Sequence, residues 1–118
     1  MSFRMASKEA LKSTFGRHQV GAVIVKNGRI LSTGYNERRY SKHIGKETVH
    51  AEEAAIIKLL ERAAFKDLAG ATMYVTRFTP AGNTGLAKPC DRCERLINTV
   101  GIRSVFYSTM DGFGKLEL

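Results

Sequence analysis

Residues 20–25 read Val-Gly-Ala-Val-Ile-Val, and Asn27-Gly28 follows one residue later. A strand that is apolar on both faces has to be covered on both, so it belongs inside a sheet with other elements packed above and below it. Asn-Gly is the strongest short hairpin signal, because a type I′ turn demands positive φ at both of its central residues. Residues 19–36 therefore predict two strands of one hairpin. Layer packing then predicts helices on both faces of the sheet that this hairpin begins.

The remaining segments supply those layers. Residues 5–14 have helical spacing in Ala6, Ala10, Leu11 and Thr14, and residues 50–65 form an Ala- and Leu-rich helix. Its inner stripe is expected to hold Ala54, Ile57, Leu60 and either Leu68 or Ala64. A third strand is expected at 71–78, a short helix at 90–101 ended by Gly101, and a fourth strand at 102–108. Residues 36–47 and 79–88 read as irregular, function-bearing loops. After Ser108 ten residues remain, fewer than the dozen or so that a parallel crossover needs. Asp111-Gly112 and Gly114 supply turn chemistry instead, so "KLEL" should return as an antiparallel hairpin strand. The expectation is one domain over residues 1–118: a three-layer α/β/α sandwich whose five-stranded mixed sheet ends in a short antiparallel fifth strand.

At 118 residues such a domain can bury a core without disulfide staples. The first nineteen residues contain no apolar run that would serve as a signal-peptide core. Nowhere do eighteen apolar residues run together, so no membrane helix is expected. A cytoplasmic protein is the default reading, and there thiols stay reduced. The net charge of +8 favours phosphate-bearing partners, although solubility alone also accounts for it.

Both cysteines of the chain fall in one stretch, "KPCDRCER" at 88–95. A reducing setting weakens the disulfide reading of Cys90 and Cys93, and a lone Cys-x-x-C is more often structural or redox than catalytic. Partners are found at the start of the second helix, "TVHAEE", where His50 precedes Glu52 by two residues. Spacing of three puts both thiols on one face of the third helix. Helix N-termini favour thiolates, and two such termini can meet at one edge of a helix-covered sheet. One imidazole and two thiolates make three ligands for tetrahedral zinc. His18 and His43 have no matching spacing, and no third cysteine exists. A fourth position is left for water, as in a catalytic site. Glu52 is placed to take a proton from that water, whose pKa zinc lowers to about 7, and to hand it to a leaving group.

"HAE" at 50–52 and "PCDRC" at 89–93 together resemble the signature of the zinc-dependent cytidine/deoxycytidylate deaminases. The resemblance covers roughly residues 20–108, with "VGAVIVKNGRILSTGYN" similar to the family's first hairpin and "GATMYVT" and "GIRSVFYS" to its later strands. It implies that His50, Cys90 and Cys93 bind Zn²⁺ and that Glu52 shuttles protons. It further implies that Asn36 contacts the sugar and that the Ala51 N–H contacts the pyrimidine carbonyl. Two features depart from the deoxycytidylate enzymes: the insertion "RFTPAGNTGLAK" before the Pro-Cys motif, and a tail with no room for another helix. The tail looks more like that of the free cytidine, blasticidin or toxin deaminases.

Each of these features also has a plainer reading. Glu53 reads as a helix-start carboxylate, Asn36 doubles as a turn former, and Tyr35 and Phe78 suit a core as well as a stacking platform. The basic run Arg38, Arg39, Lys42, His43 and Lys46 is either a solvated loop or a phosphate site; Arg38 and Arg39 follow Asn36 closely enough to reach a 5′-phosphate beside the sugar. Three functions follow. The first is deamination of a cytosine nucleoside or nucleotide, a small-molecule pyrimidine, by a homo-oligomer whose subunits complete one another's pockets. The second is deamination of cytosine or adenine in a nucleic acid, against which low aromatic content and the absence of Trp count. The third is a non-catalytic zinc module, which would not need Glu52.

Overall fold

The computed structural model describes residues 2–13, 18–41, 45–62 and 65–118, including all of their side chains except those of Ser2, Phe65, 38–41 and 45–48. In chain order the elements are α1 (Ser2–Ala10), β1 (Gln19–Lys26), β2 (Arg29–Tyr35), β3 (Glu37–Ser41), β4 (Gly45–Val49), α2 (Ala51–Glu61), a 3₁₀ turn (Phe65–Leu68), β5 (Thr72–Phe78), β6 (Thr84–Gly85), α3 (Asp91–Thr99), β7 (Ser104–Ser108) and β8 (Phe113–Glu117). The main sheet runs β2-β1-β5-β7-β8, with the two-residue β6 paired to the end of β5. β5 and β7 are parallel, and the other pairings are antiparallel. This is the expected mixed sheet, with β8 as its short antiparallel last strand and β6 as a sixth member. The Asn27-Gly28 hairpin forms as expected, with φ of 52° and 75°.

Register assigns the two faces. Ala22, Ile24, Met73, Val75 and Val105 join Ala51, Ala55, Ile56, Leu59 and Ile97 in one buried cluster under α2 and α3. The alternate residues face α1: a Cβ on Gly21 would collide with the Ala6 carbonyl oxygen and the Ala10 nitrogen. On the opposite face a Cβ on Gly34 would lie 2.5 Å from the Ala51 oxygen and the Ala55 nitrogen. Each glycine thus lets one helix lie directly on the sheet, and together they complete the α/β/α layering.

Four sequence expectations change. Residues 36–47 hold an antiparallel ribbon, β3 against β4, and continue into it through Val49. Its sequence, "ERRYSKHIGKETV", lacks apolar alternation, so the backbone ladder forms without a hydrophobic signature. Residues 79–88 include β6. α1 ends at Ala10, leaving Leu11 65% exposed, while Thr14 lies outside the described residues. In α2 the buried stripe is Ala51, Ala54, Ala55, Ile56 and Leu59; Leu60 is 44% exposed and Ile57 only partly buried. α2 is rotated so that its small residues meet Gly34, and close backbone approach outweighs burial of the larger side chains. Leu68 is buried from the 3₁₀ turn, and Ala64 lies outside the described residues.

Candidate metal and catalytic site

The N-terminal ends of α2 and α3 meet beyond the end of β5. His50 is the N-cap of α2 and Cys90 the N-cap of α3, both with extended backbone (φ/ψ −74°/155° and −70°/168°). The two N-cap side chains come together at this junction. Cys93 lies one turn into α3. The His50 Nδ1 is 3.2 Å from the Cys93 Sγ and 3.7 Å from the Cys90 Sγ. All three donor atoms lie within 4.8 Å of one another. Both cysteines are free thiols.

Several bonds hold this meeting in place. The His50 N–H donates to Glu53 Oε1 at 3.0 Å, and Arg92 Nη2 of α3 donates to the same oxygen at 2.8 Å. Glu53 is therefore more than a carboxylate favouring a helix dipole, because it ties the two helix starts together. Ser32 Oγ donates to the Ala55 oxygen, and Lys58 Nζ to the Thr33 oxygen, fastening α2 to β2. On the other side, Ser108 Oγ donates to the Gly85 oxygen and accepts from the Arg77 N–H. The Ala87 N–H donates to the Ser108 oxygen. These bonds steer residues 85–90 from β6 to the first cysteine.

The electrostatics of the cluster favour a cation. Burial pushes the Cys93 thiol well above its ordinary range, with the Glu52 carboxylate adding to the effect. Glu52 is 5% exposed, and burial raises its pKa to about 7; a hydrogen bond from its own backbone and the charge of Arg92 oppose the shift, and Glu53 reinforces it. A divalent cation reverses both penalties by favouring thiolate and carboxylate. One imidazole nitrogen and two sulfurs match the donor preference of zinc, and three protein ligands match an open coordination position. The residues fit the metal.

A cleft of about 320 Å³ opens beside the cluster, lined by His50, Cys90, Glu52, Ala51, Asn36, Val20, His18, Arg77, Leu86, Ala87 and Lys88. It thus brings together the expected Glu52, Ala51 and Asn36. Ala51 is the first residue of α2, so its N–H has no acceptor within the helix. Asn36 is 8% exposed: its Nδ2 donates to the His18 oxygen at 2.6 Å, and its Oδ1 accepts from the Val20 N–H at 2.9 Å. Its amide holds the start of β1 and retains one N–H and one lone pair for a ligand. The Arg38 and Arg39 side chains, with Lys42 and His43, lie outside what the structure describes. Sequence reasoning missed His18, Arg77 and Lys88. The available signal was an arginine at the third place in the inward row Met73, Val75, Arg77.

The chain belongs to the cytidine and deoxycytidylate deaminase zinc-binding family, whose model matches residues 1–109. Riboflavin biosynthesis protein RibD of Actinobacillus pleuropneumoniae is 38% identical over 105 residues, covering 89% of this chain and 24% of that protein. Deoxycytidylate deaminase of Mycobacterium phage D29 is 33% identical over 126 residues, covering 87% of this chain and 88% of that one. This chain thus spans about a quarter of the first relative and most of the second. Among solved structures, the dCMP deaminase of cyanophage S-TIM5 in apo form has the same fold, with a TM-score of 0.70 at 24% identity over 92% of this chain and 79% of that one. The two relatives carry different names, so substrate does not follow from family. Among the described residues no helix is long and apolar enough to cross a membrane.

Proposed function

We propose that this chain is a hydrolytic deaminase that converts a cytosine nucleoside or nucleotide (deoxycytidine, cytidine or their monophosphates) to the uracil form with release of ammonia. The observation that carries the reading is the buried Glu52 lining the same cleft as His50 and Cys90. His50, Cys90 and Cys93 would hold zinc, which when bound supplies Lewis acidity toward water at C4 of the base. Glu52 takes the proton from the attacking water and delivers it to the departing amine, so one carboxylate acts as base and then acid. The Ala51 N–H donates to the pyrimidine carbonyl, and Asn36 uses its remaining amide valences on the sugar. Arg38 and Arg39, just past Asn36 in the chain, are the residues this reading first assigns to a 5′-phosphate. We also assign a homo-oligomer, to be checked by light scattering.

The net charge of +8 favours a second reading, a base in single-stranded nucleic acid. One panel separates the two: ammonia release from cytidine, deoxycytidine, their monophosphates, and single-stranded DNA and RNA. Turnover of a free nucleoside or monophosphate is the expected result. Activity confined to polynucleotides would replace the first reading with the second, and no release from any zinc-loaded sample would overturn both.

A further inference from the structure

Along β5 the side chains that face α2 and α3 are Met73, Val75 and Arg77, in register with Ile24, Ala22 and Val20 of β1. The first two residues of that row are fully buried in the core. The third is a guanidinium, half-buried where the core row runs out and lining the cleft. Its Nε is buried while its terminal nitrogens stay open to the cleft side, so only part of the group is out of water.

Its protein partners compensate the charge only in part. Arg77 Nη2 is 2.6 Å from the His18 Nδ1, and Nη1 reaches the Leu86 oxygen at 3.4 Å. A guanidinium only donates, so His18 Nδ1 accepts and the ring carries its proton on Nε2. The Arg77 Nε is buried with no hydrogen-bond partner. Among the described residues neither Arg77 nor Lys88 has a carboxylate partner. The lining holds one acid, Glu52, and three groups that donate toward an anion: Arg77, His18 and the exposed Lys88. A buried donor left unpaired beside a cleft, as the Arg77 Nε is, calls for an explanation.

We propose that Arg77, supported by His18 and Lys88, forms an anion subsite of the cleft that takes the phosphate monoester of the substrate. The inference rests on the deaminase reading and deepens it by naming the substrate class. Arginine suits this task because its planar fork binds phosphate oxygens two at a time, in a fixed orientation. His18 joins the two halves of the site. Its carbonyl oxygen accepts from Asn36, and its ring accepts from Arg77, and all three residues line the cleft. Arg77 thereby competes with Arg38 and Arg39 for the phosphate.

The test is calorimetric titration of the zinc-loaded protein with the products deoxyuridine and deoxyuridine monophosphate, and with inorganic phosphate, at constant ionic strength. The wild type should bind the monophosphate about 10- to 100-fold more tightly than the nucleoside, the range for a hydrogen bond to a charged group, and inorganic phosphate should compete. Arg77→Gln should abolish that difference without altering zinc content. Lys88→Gln, at an exposed position that does not depend on core packing, should narrow it several-fold even if Arg77→Gln fails to fold. A difference that survives Arg77→Gln, one that vanishes with Arg38→Gln or Arg39→Gln instead, or an equal loss of nucleoside and monophosphate binding would overturn the assignment. Arg77-dependent phosphate binding in a protein that deaminates no cytosine compound keeps the subsite and removes the cytosine reading. Cytosine turnover with no Arg77-dependent difference keeps the reading and removes the subsite.

Discussion

The two faces of the sheet solve the same packing problem with different materials. Under α2 and α3 the contacts are aliphatic and closed, from Ala22 and Ile24 to Val105. α2 is also fastened by side-chain bonds from Ser32, Lys58 and Arg62 to backbone oxygens. On the α1 face the filling is aromatic and open at one end. Phe3 meets Tyr74 edge-on at 5.3 Å, Tyr74 stacks on Phe106 at 5.1 Å, and Phe113 beyond them is 65% exposed. The bonded face carries the chemistry, because His50 and Glu52 inherit whatever position α2 takes. The aromatic face contributes buried area, which tolerates imprecision, and it meets the site through Ser13, whose hydroxyl donates to the Asn36 oxygen.

The largest effects should come from the α2 and α3 side. Cys93→Ser should remove most bound zinc and with it all measurable deamination, since a buried ligand is lost from a set of three. Metal analysis of the purified variant checks this; full zinc occupancy would show that the cluster is not the metal site. Glu52→Gln should keep zinc and fold while lowering kcat by about 10²–10⁴, the usual general acid–base factor. A variant that kept more than about a hundredth of the wild-type kcat would move the proton transfer elsewhere.

These two variants test residues that were legible in the sequence, for a physical reason. His50, Glu52, Cys90 and Cys93 lie at helix starts, where local spacing determines which groups project together. The rest of the cleft lining is different. Strand alternation puts Arg77 in the inward row, but that the row ends at the cleft depends on the pairing of Val20 with Arg77 across β1 and β5, and His18 arrives through the amide of Asn36; both are long-range facts. The phase of α2 was misread for a related reason. "AEEAAIIKLLE" is apolar over much of its circumference, and Gly34 on another strand selects which stripe goes inward. The β3–β4 ribbon was hidden because charged residues fill it.

Gly34 and Gly21 compare the faces directly, since each admits one helix. Either Gly→Ala substitution should cost about 1–3 kcal/mol of stability by overpacking. Their effects on function should diverge. Gly34→Ala pushes on Ala51 and Ala55, which lie next to His50 and Glu52 along α2, so zinc affinity should fall by about 10- to 100-fold, as when a ligand's support is disturbed. Gly21→Ala pushes on α1, so zinc affinity and kcat per folded molecule should stay within about twofold of wild type, a far smaller change than a disturbed ligand support produces. Urea unfolding combined with competitive zinc titration measures both quantities on each variant. Equal losses of zinc affinity would mean that the faces are mechanically coupled through the sheet.

The smallest effect should come from Phe113, at the open end of the aromatic face. Its ring centroid is 5.6 Å from Phe3 and 6.2 Å from Phe106. Aromatic pairs of this kind contribute about 0.5–1.5 kcal/mol beyond buried area, and the exposure of Phe113 keeps its share toward the low end. Phe113→Ala should therefore lower stability by about 0.5–1 kcal/mol. Zinc content, kcat and KM should not change, because nothing on β8 lines the cleft. Sedimentation should be run beside the kinetics, because the exposed ring is an apolar contact available to a second copy. A stability loss alone sustains the division between a face that positions and a face that fills. A joint fall in oligomer size and kcat would break it, and would show that a neighbouring copy docked on the aromatic face acts on the cleft.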